Sequence, residues 1–102
     1  MDYSSRIYST KNGPVEGVHI RWPGLSVLFA TGRKGSVVCG AFDLEAIARF
    51  GGASAMVESS PQDPASNLER FVDRNIARTN ANAEALGIRK GMRVSEAFER
   101  IA

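Results

Sequence analysis

From Val15 to Val38 the apolar residues recur with a period of two. Val18, Ile20 and Trp22 alternate with His19 and Arg21, and Leu25, Val27 and Phe29 alternate with Ser26, Leu28 and Ala30. Pro23-Gly24 parts these two runs, and Gly32-Arg33-Lys34-Gly35 parts the second from Ser36-Val37-Val38-Cys39. Successive side chains of an extended chain point to opposite faces, and Gly-bearing turns let consecutive runs fold back on one another. The pattern therefore predicts an antiparallel meander of three strands.

Symmetric closure of each turn sets Trp22 opposite Leu25 and Gly32 opposite Gly35. Val18, Phe29 and Val38 then form one row, beside Ile20–Val27 and Trp22–Leu25, and this heavy apolar face is the expected core. The other face carries Arg21–Ser26, His19–Leu28–Cys39 and Ala30–Val37, and is thinner. Its residues Leu28, Ala30, Val37 and Cys39 still need shelter from water, so a homo-oligomer, most simply a dimer, is expected to cover it or an open strand edge.

After Gly40 the period becomes helical. Asp43 stands where an N-cap belongs, Leu44, Ile47 and Ala48 make a stripe, and Gly51-Gly52 stops it. Ala53 to Val57 reads as a fourth strand, and Glu58 to Ser66, rich in Ser and Pro, as a surface loop. One helix from Asn67 to Leu86 would bury Asn75, Thr79 and Asn82, so two helices are expected, broken between Asn75 and Asn80. Thr79 or Asn80 would cap the second, Gly87 would end it, and Ser95 to Ile101 would form a last helix. Residues 1–12 read as a frayed end or an edge strand. The fold class is α+β in two layers: a mostly antiparallel sheet of three to five strands with helices on one face, in a single domain spanning 1–102.

A chain of 102 residues, 43% hydrophobic and 24% charged, has enough apolar surface for one core. Its 13 Lys+Arg and 11 Asp+Glu are dispersed, so the chain lacks the basic face that nucleic acid requires. The longest apolar run, Val27 to Ala30, is far short of a membrane span, and the polar N-terminal stretch lacks a signal-like apolar segment. Cys39 is the one cysteine, so no intrachain disulfide forms and a reducing cytoplasm is expected. With His19 the one histidine, metal ligands are scarce and no metal or other cofactor is expected.

Cys39 is the obvious nucleophile, at a strand end shortly before a helix start. Burial among Val37, Val38 and Ala41 is expected to keep the thiol neutral and slow. His19 is the base to test against it. The register places Leu28 between the two, about 9–10 Å of strand spacing, too far for a hydrogen-bonded pair. His19 is expected to be an exposed strand residue and Asp43 a cap, so both neighbour Cys39 in pattern only. Arg89, Lys90 and Arg93 around Gly91-Met92 are the candidate contacts for an anionic ligand. No Gly-rich phosphate loop is present.

Gly35-Ser-Val-Val-Cys39-Gly-Ala-Phe-Asp43, followed by Leu44-Glu45-Ala46-Ile47, resembles the signature of the YunC-like family of bacterial and archaeal domains of unknown function. Ala83-Glu84-Ala85-Leu86-Gly87-Ile88, then Gly91-Met92 and Glu96-Ala97-Phe98, is similar to that family's ending. A weaker match is the extended run ending in Trp22-Pro23. The resemblance spans about residues 13–102 and implies a small α+β domain with no assigned activity, cofactor or catalytic set. Two functions are carried forward. One is a non-enzymatic, oligomeric binding or accessory module, with a small molecule as its ligand. The other is a small cysteine-dependent enzyme using Cys39 with a base from a neighbouring subunit.

Overall fold

In the computed structural model, which describes residues 1–60, 62 and 65–102, the alternating runs are strands. They are β1 (Asp2–Thr10), β2 (Gly13–Trp22), β3 (Leu25–Thr31) and β4 (Ser36–Val38), paired antiparallel in sequence order. Trp22 faces Leu25, Phe29 faces both Val18 and Val38, and Gly32 N–H donates to Gly35 O at 3.0 Å. This is the register that symmetric closure predicts. Pro61, Asp63 and Pro64 fall outside the described residues, and with them part of the expected 58–66 loop.

The chain then leaves the sheet as α1 (Leu44–Arg49) and returns as β5 (Ser54–Val57), parallel to β4, with Val37 opposite Ala55. A helix between two neighbouring strands brings the chain back in the same direction, which makes this pair parallel. Next come α2 (Leu68–Val72), β6 (Ile76–Thr79), α3 (Ala81–Ala85) and α4 (Val94–Ile101). β6 runs antiparallel to β5 and completes a mixed, six-stranded sheet ordered β1 to β6. The α+β class holds, but the expected three to five mostly antiparallel strands become six with one parallel pair. The helix does break between Asn75 and Asn80, and β6 occupies the gap. Ile-Ala-Arg-Thr is too short to show a period, and only Ile76 of the four is buried.

Capping explains where the helices begin. Asp43 accepts from Glu45 N and Ala46 N at 3.0 and 3.2 Å, and Asn67 from Arg70 N at 2.8 Å. Asn80 does more than cap α3. Its Oδ1 accepts from Ala83 N at 2.9 Å and from Ser54 N at 3.2 Å, while Nδ2 donates to Leu44 O and Gly52 O. One buried amide thus ties α1, β5 and α3 together.

The two faces of the meander exchange their expected roles. The main buried cluster takes Val15, Leu28, Ala30, Val37 and Cys39 from the sheet, with Phe71 of α2 and Val94, Ala97, Phe98 and Ile101 of α4. Val18 and Val38 are buried outside that cluster, while Trp22 and Leu25 remain 40% and 49% exposed. Side-chain size accounts for the reversal. A methyl group on Gly17 would lie 2.8 Å from the Tyr8 ring and 3.2 Å from Leu68, so α2 rests where β2 has no side chain. Tyr8, on the same face, packs against Phe98 of α4 with ring centroids 5.3 Å apart. Helices settle on the face that admits close approach, while the bulky face is covered at Val18 and Val38, has Phe42 packed on Phe29, and is open at Trp22 and Leu25. The face expected to need an oligomeric partner is covered by the chain's own helices.

Candidate functional site

Cys39 follows directly after β4. Its N–H donates to Leu28 O at 3.0 Å and its Sγ accepts from Leu28 N–H at 3.4 Å. Cys39 is 8% exposed and forms part of the wall of a cavity of about 410 Å³, with Leu25, Leu28, Gly40 and Ala41 beside it. His19 pairs with Leu28 on its other side, so Leu28 separates the two as the register requires. Asp43 is spent as the cap of α1. The three catalytic candidates therefore form no catalytic unit.

Arg89, Lys90 and Arg93 are all exposed, and they diverge. Arg89 donates to Glu84 O and Ile88 O, tying down the end of α3. Arg93 instead joins a cleft of about 460 Å³ with Arg70, Arg74, Glu58, Asp73 and Asn75. Part of that charge is internally spent. Arg93 Nη2 donates to Asp73 Oδ1 at 3.1 Å, and Arg74 Nε donates to Arg70 O at 3.2 Å. Among the described residues no group of three His, Cys, Asp or Glu side chains comes together to hold a metal ion.

A second cleft, of about 250 Å³, lies between the β1–β2 ladder and α2. Its walls include Ser4 and Arg6 of β1, His19 and Arg21 of β2, and Asn67 and Glu69 at the start of α2. His19 is 4% exposed, where an exposed strand residue was expected. The cause is the face reversal: His19 shares the side of Leu28 and Cys39 that the helices cover. Arg21 Nη1 lies 2.8 Å from His19 Nδ1, and a guanidinium can only donate, so Nδ1 accepts. Burial first, and the Arg21 charge second, hold the imidazole below its ordinary value of 6.5. It is therefore neutral at pH 7, with its proton on Nε2. That nitrogen is buried and has no hydrogen-bond partner among the described residues. The Tyr8 hydroxyl is likewise buried without one, and burial pushes the phenol above its ordinary value while neighbouring Arg6 pulls the other way. No period or motif marks this arrangement in sequence. The one available signal was a polar residue between Val18 and Ile20.

The model of a family described as a domain of unknown function (DUF1805) matches residues 38–101, from the end of β4 through α4. The chain belongs to that family. The DUF1805 match includes Cys39 and Asp43 and the Ala83–Met92 stretch, but not Arg6, His19 or Arg21. A crystal structure of a protein of unknown function, TA1206 from Thermoplasma acidophilum, is similar over 100% of this chain and 97% of that one. The TM-score is 0.76 at 17% identity, so the two share a fold, including the meander that precedes the DUF1805 match. No curated protein matches the chain. Among the described residues no helix is long and apolar enough to cross a membrane.

Proposed function

We propose that this DUF1805 domain is a non-enzymatic binding module that works as a homo-oligomer in a reducing cytoplasm. The observation that carries the reading is the open face of the meander. Its open end carries Trp22 and Leu25 in one row and Tyr3 in the next, where Ile20 and Val27 are half-buried. Tyr3 is 64% exposed, and Ile7 on the same face of β1 is 61% exposed. Large apolar side chains gathered on one side of an antiparallel sheet are costly in water and suit burial against a second copy. β1 adds an edge of nine residues without proline or lysine to guard it. Within the family, Cys39–Asp43 and Ala83–Met92 support a YunC-like member.

The cysteine-enzyme alternative loses its geometry. Cys39 faces the helix-covered side and its sulfur already accepts from Leu28 N–H, which does not favour a nucleophile. Sedimentation velocity at micromolar concentration tests the assembly. The expected species has twice the 11.0 kDa mass of the chain, and Trp22→Glu with Leu25→Glu returns it to monomer. A stable wild-type monomer overturns the proposal.

A further inference from the structure

The cleft between β1–β2 and α2 presents hydrogen-bond donors with too few acceptors. Arg6, Arg21 and the buried His19 all contribute to its walls. Arg21 uses one donor on His19 Nδ1, and its Nε lies 4.0 Å from Asp2 Oδ2, a loose contact that leaves most of the guanidinium unbonded. His19 Nε2 is a donor without an acceptor in a side chain 4% exposed. A buried donor left unpaired is unfavourable, and an incoming acceptor oxygen relieves that cost. Ser4 contributes a hydroxyl that also donates. Two guanidiniums in the walls face one carboxylate, Glu69 of α2, so the lining carries a net positive charge.

From this juxtaposition the geometry points to a binding site for a small oxyanion, a phosphate or carboxylate group, held by Arg6 and Arg21 with His19 as a third donor. Planar guanidinium forks match the oxygens of both groups. His19 also acts as a positioning residue, because its Nδ1 fixes one arm of the Arg21 fork and leaves the others for the ligand. Nε2 is shielded from water, so a ligand oxygen reaches it only when the side chains around it move. This site gives a ligand class to the binding module proposed above and rests on that reading only for its non-catalytic character. Whether the chain dimerises does not bear on it.

The single histidine makes the test direct. In protein labelled with nitrogen-15 at histidine, one Nε2 signal reports this cleft alone. Inorganic phosphate and succinate are titrated separately at pH 7.5 and constant ionic strength, with chloride as the reference. The expected result is a saturable shift of the His19 Nε2 signal with a Kd of about 1 mM or tighter. Arg6→Gln and Arg21→Gln should each weaken binding at least about tenfold, and Arg78→Gln on β6 should leave it unchanged. A response to phosphate, to succinate or to both supports the site and tells which oxyanion it takes. A His19 signal that ignores both anions overturns it, as does unchanged affinity in the Arg6 and Arg21 variants. Sedimentation of those two variants should match wild type, which separates failure of this site from failure of the oligomer.

Discussion

Arg21 Nη1 donates to His19 Nδ1 across 2.8 Å, and this bond joins burial in keeping the imidazole neutral. Because the donor is a cation and the acceptor is on the covered side of the sheet, a proton on Nδ1 is opposed twice. The folded chain therefore holds His19 neutral below the 6.5 of an ordinary histidine. Between that lowered value and 6.5 the unfolded chain binds a proton that the folded chain refuses. Stability is complete above 6.5 and is lost as pH falls through that window. Thermal melts at pH 7.5 and 5.5 should show a lower Tm at 5.5. The difference should shrink in His19→Gln, and an equal loss in that variant would show another group to be responsible.

Asn80 should be the most sensitive polar position. Replacing it with Ala removes the cap of α3 and strands the buried Ser54 N–H, while Leu44 O loses a donor and Gly52 O keeps the one from Asn82. A lost cap costs about 1 kcal/mol and the orphaned Ser54 N–H about 1–3 kcal/mol, so Asn80→Ala should lose about 2–4 kcal/mol. Urea denaturation measures it. A loss below 1 kcal/mol would mean the amide links are dispensable.

Gly17 should resist enlargement. Its missing side chain leaves the space taken by the Tyr8 ring and Leu68, so Gly17→Ala should cost about 1–3 kcal/mol through displacement of α2. Gly40, whose surroundings are open, is the control, and Gly40→Ala should cost far less. Paired chemical denaturation curves make the comparison.

Native Cys39 should be alkylated slowly by iodoacetamide, at a small fraction of the rate in urea, because its sulfur is buried and bonded to Leu28 N–H. Cys39→Ala should lose about 1 kcal/mol of stability and leave oxyanion binding unchanged. Alkylation at the unfolded rate would reopen the cysteine chemistry.

The single tryptophan reports association. Trp22 is 40% exposed in the isolated chain and lies in the open apolar face. Its emission maximum should move to shorter wavelength as protein concentration rises through the dimerisation range. Constant emission over that range, with sedimentation showing a dimer, would place the interface elsewhere.

These outcomes also separate what the residues announce from what they conceal. The Trp22–Leu25 register was legible only on the supposition of symmetric closure. Pro-Gly favours a type II turn that hairpins use less, and a three-residue loop would have flipped the faces of β2. Asp43 as a cap and the break before Asn80 were legible because both depend on neighbours within four positions. Which face is the core was not legible, since Val18–Phe29–Val38 and Ala30–Val37 are both apolar rows. What decides it is the contact of Gly17 with Leu68, far along the chain. His19 was misread for the same reason: its burial is a consequence of α2 and α4, not of its own strand. Arg93 was singled out, but Arg70 and Arg74 join it only through folding. The strand Ile76–Thr79 escaped because four residues show no period.

The last helix has a consequence for how the protein is made. Val94, Ala97, Phe98 and Ile101 of α4 supply much of the cluster that covers β2 to β4, so the roof over the meander stays incomplete until α4 is synthesised. Its hairpins are local and can pair early on the ribosome, with apolar rows bare on both sides. A nascent chain stalled before Val94 is then at its greatest hazard. Chaperone demand should peak there and collapse once α4 emerges and docks.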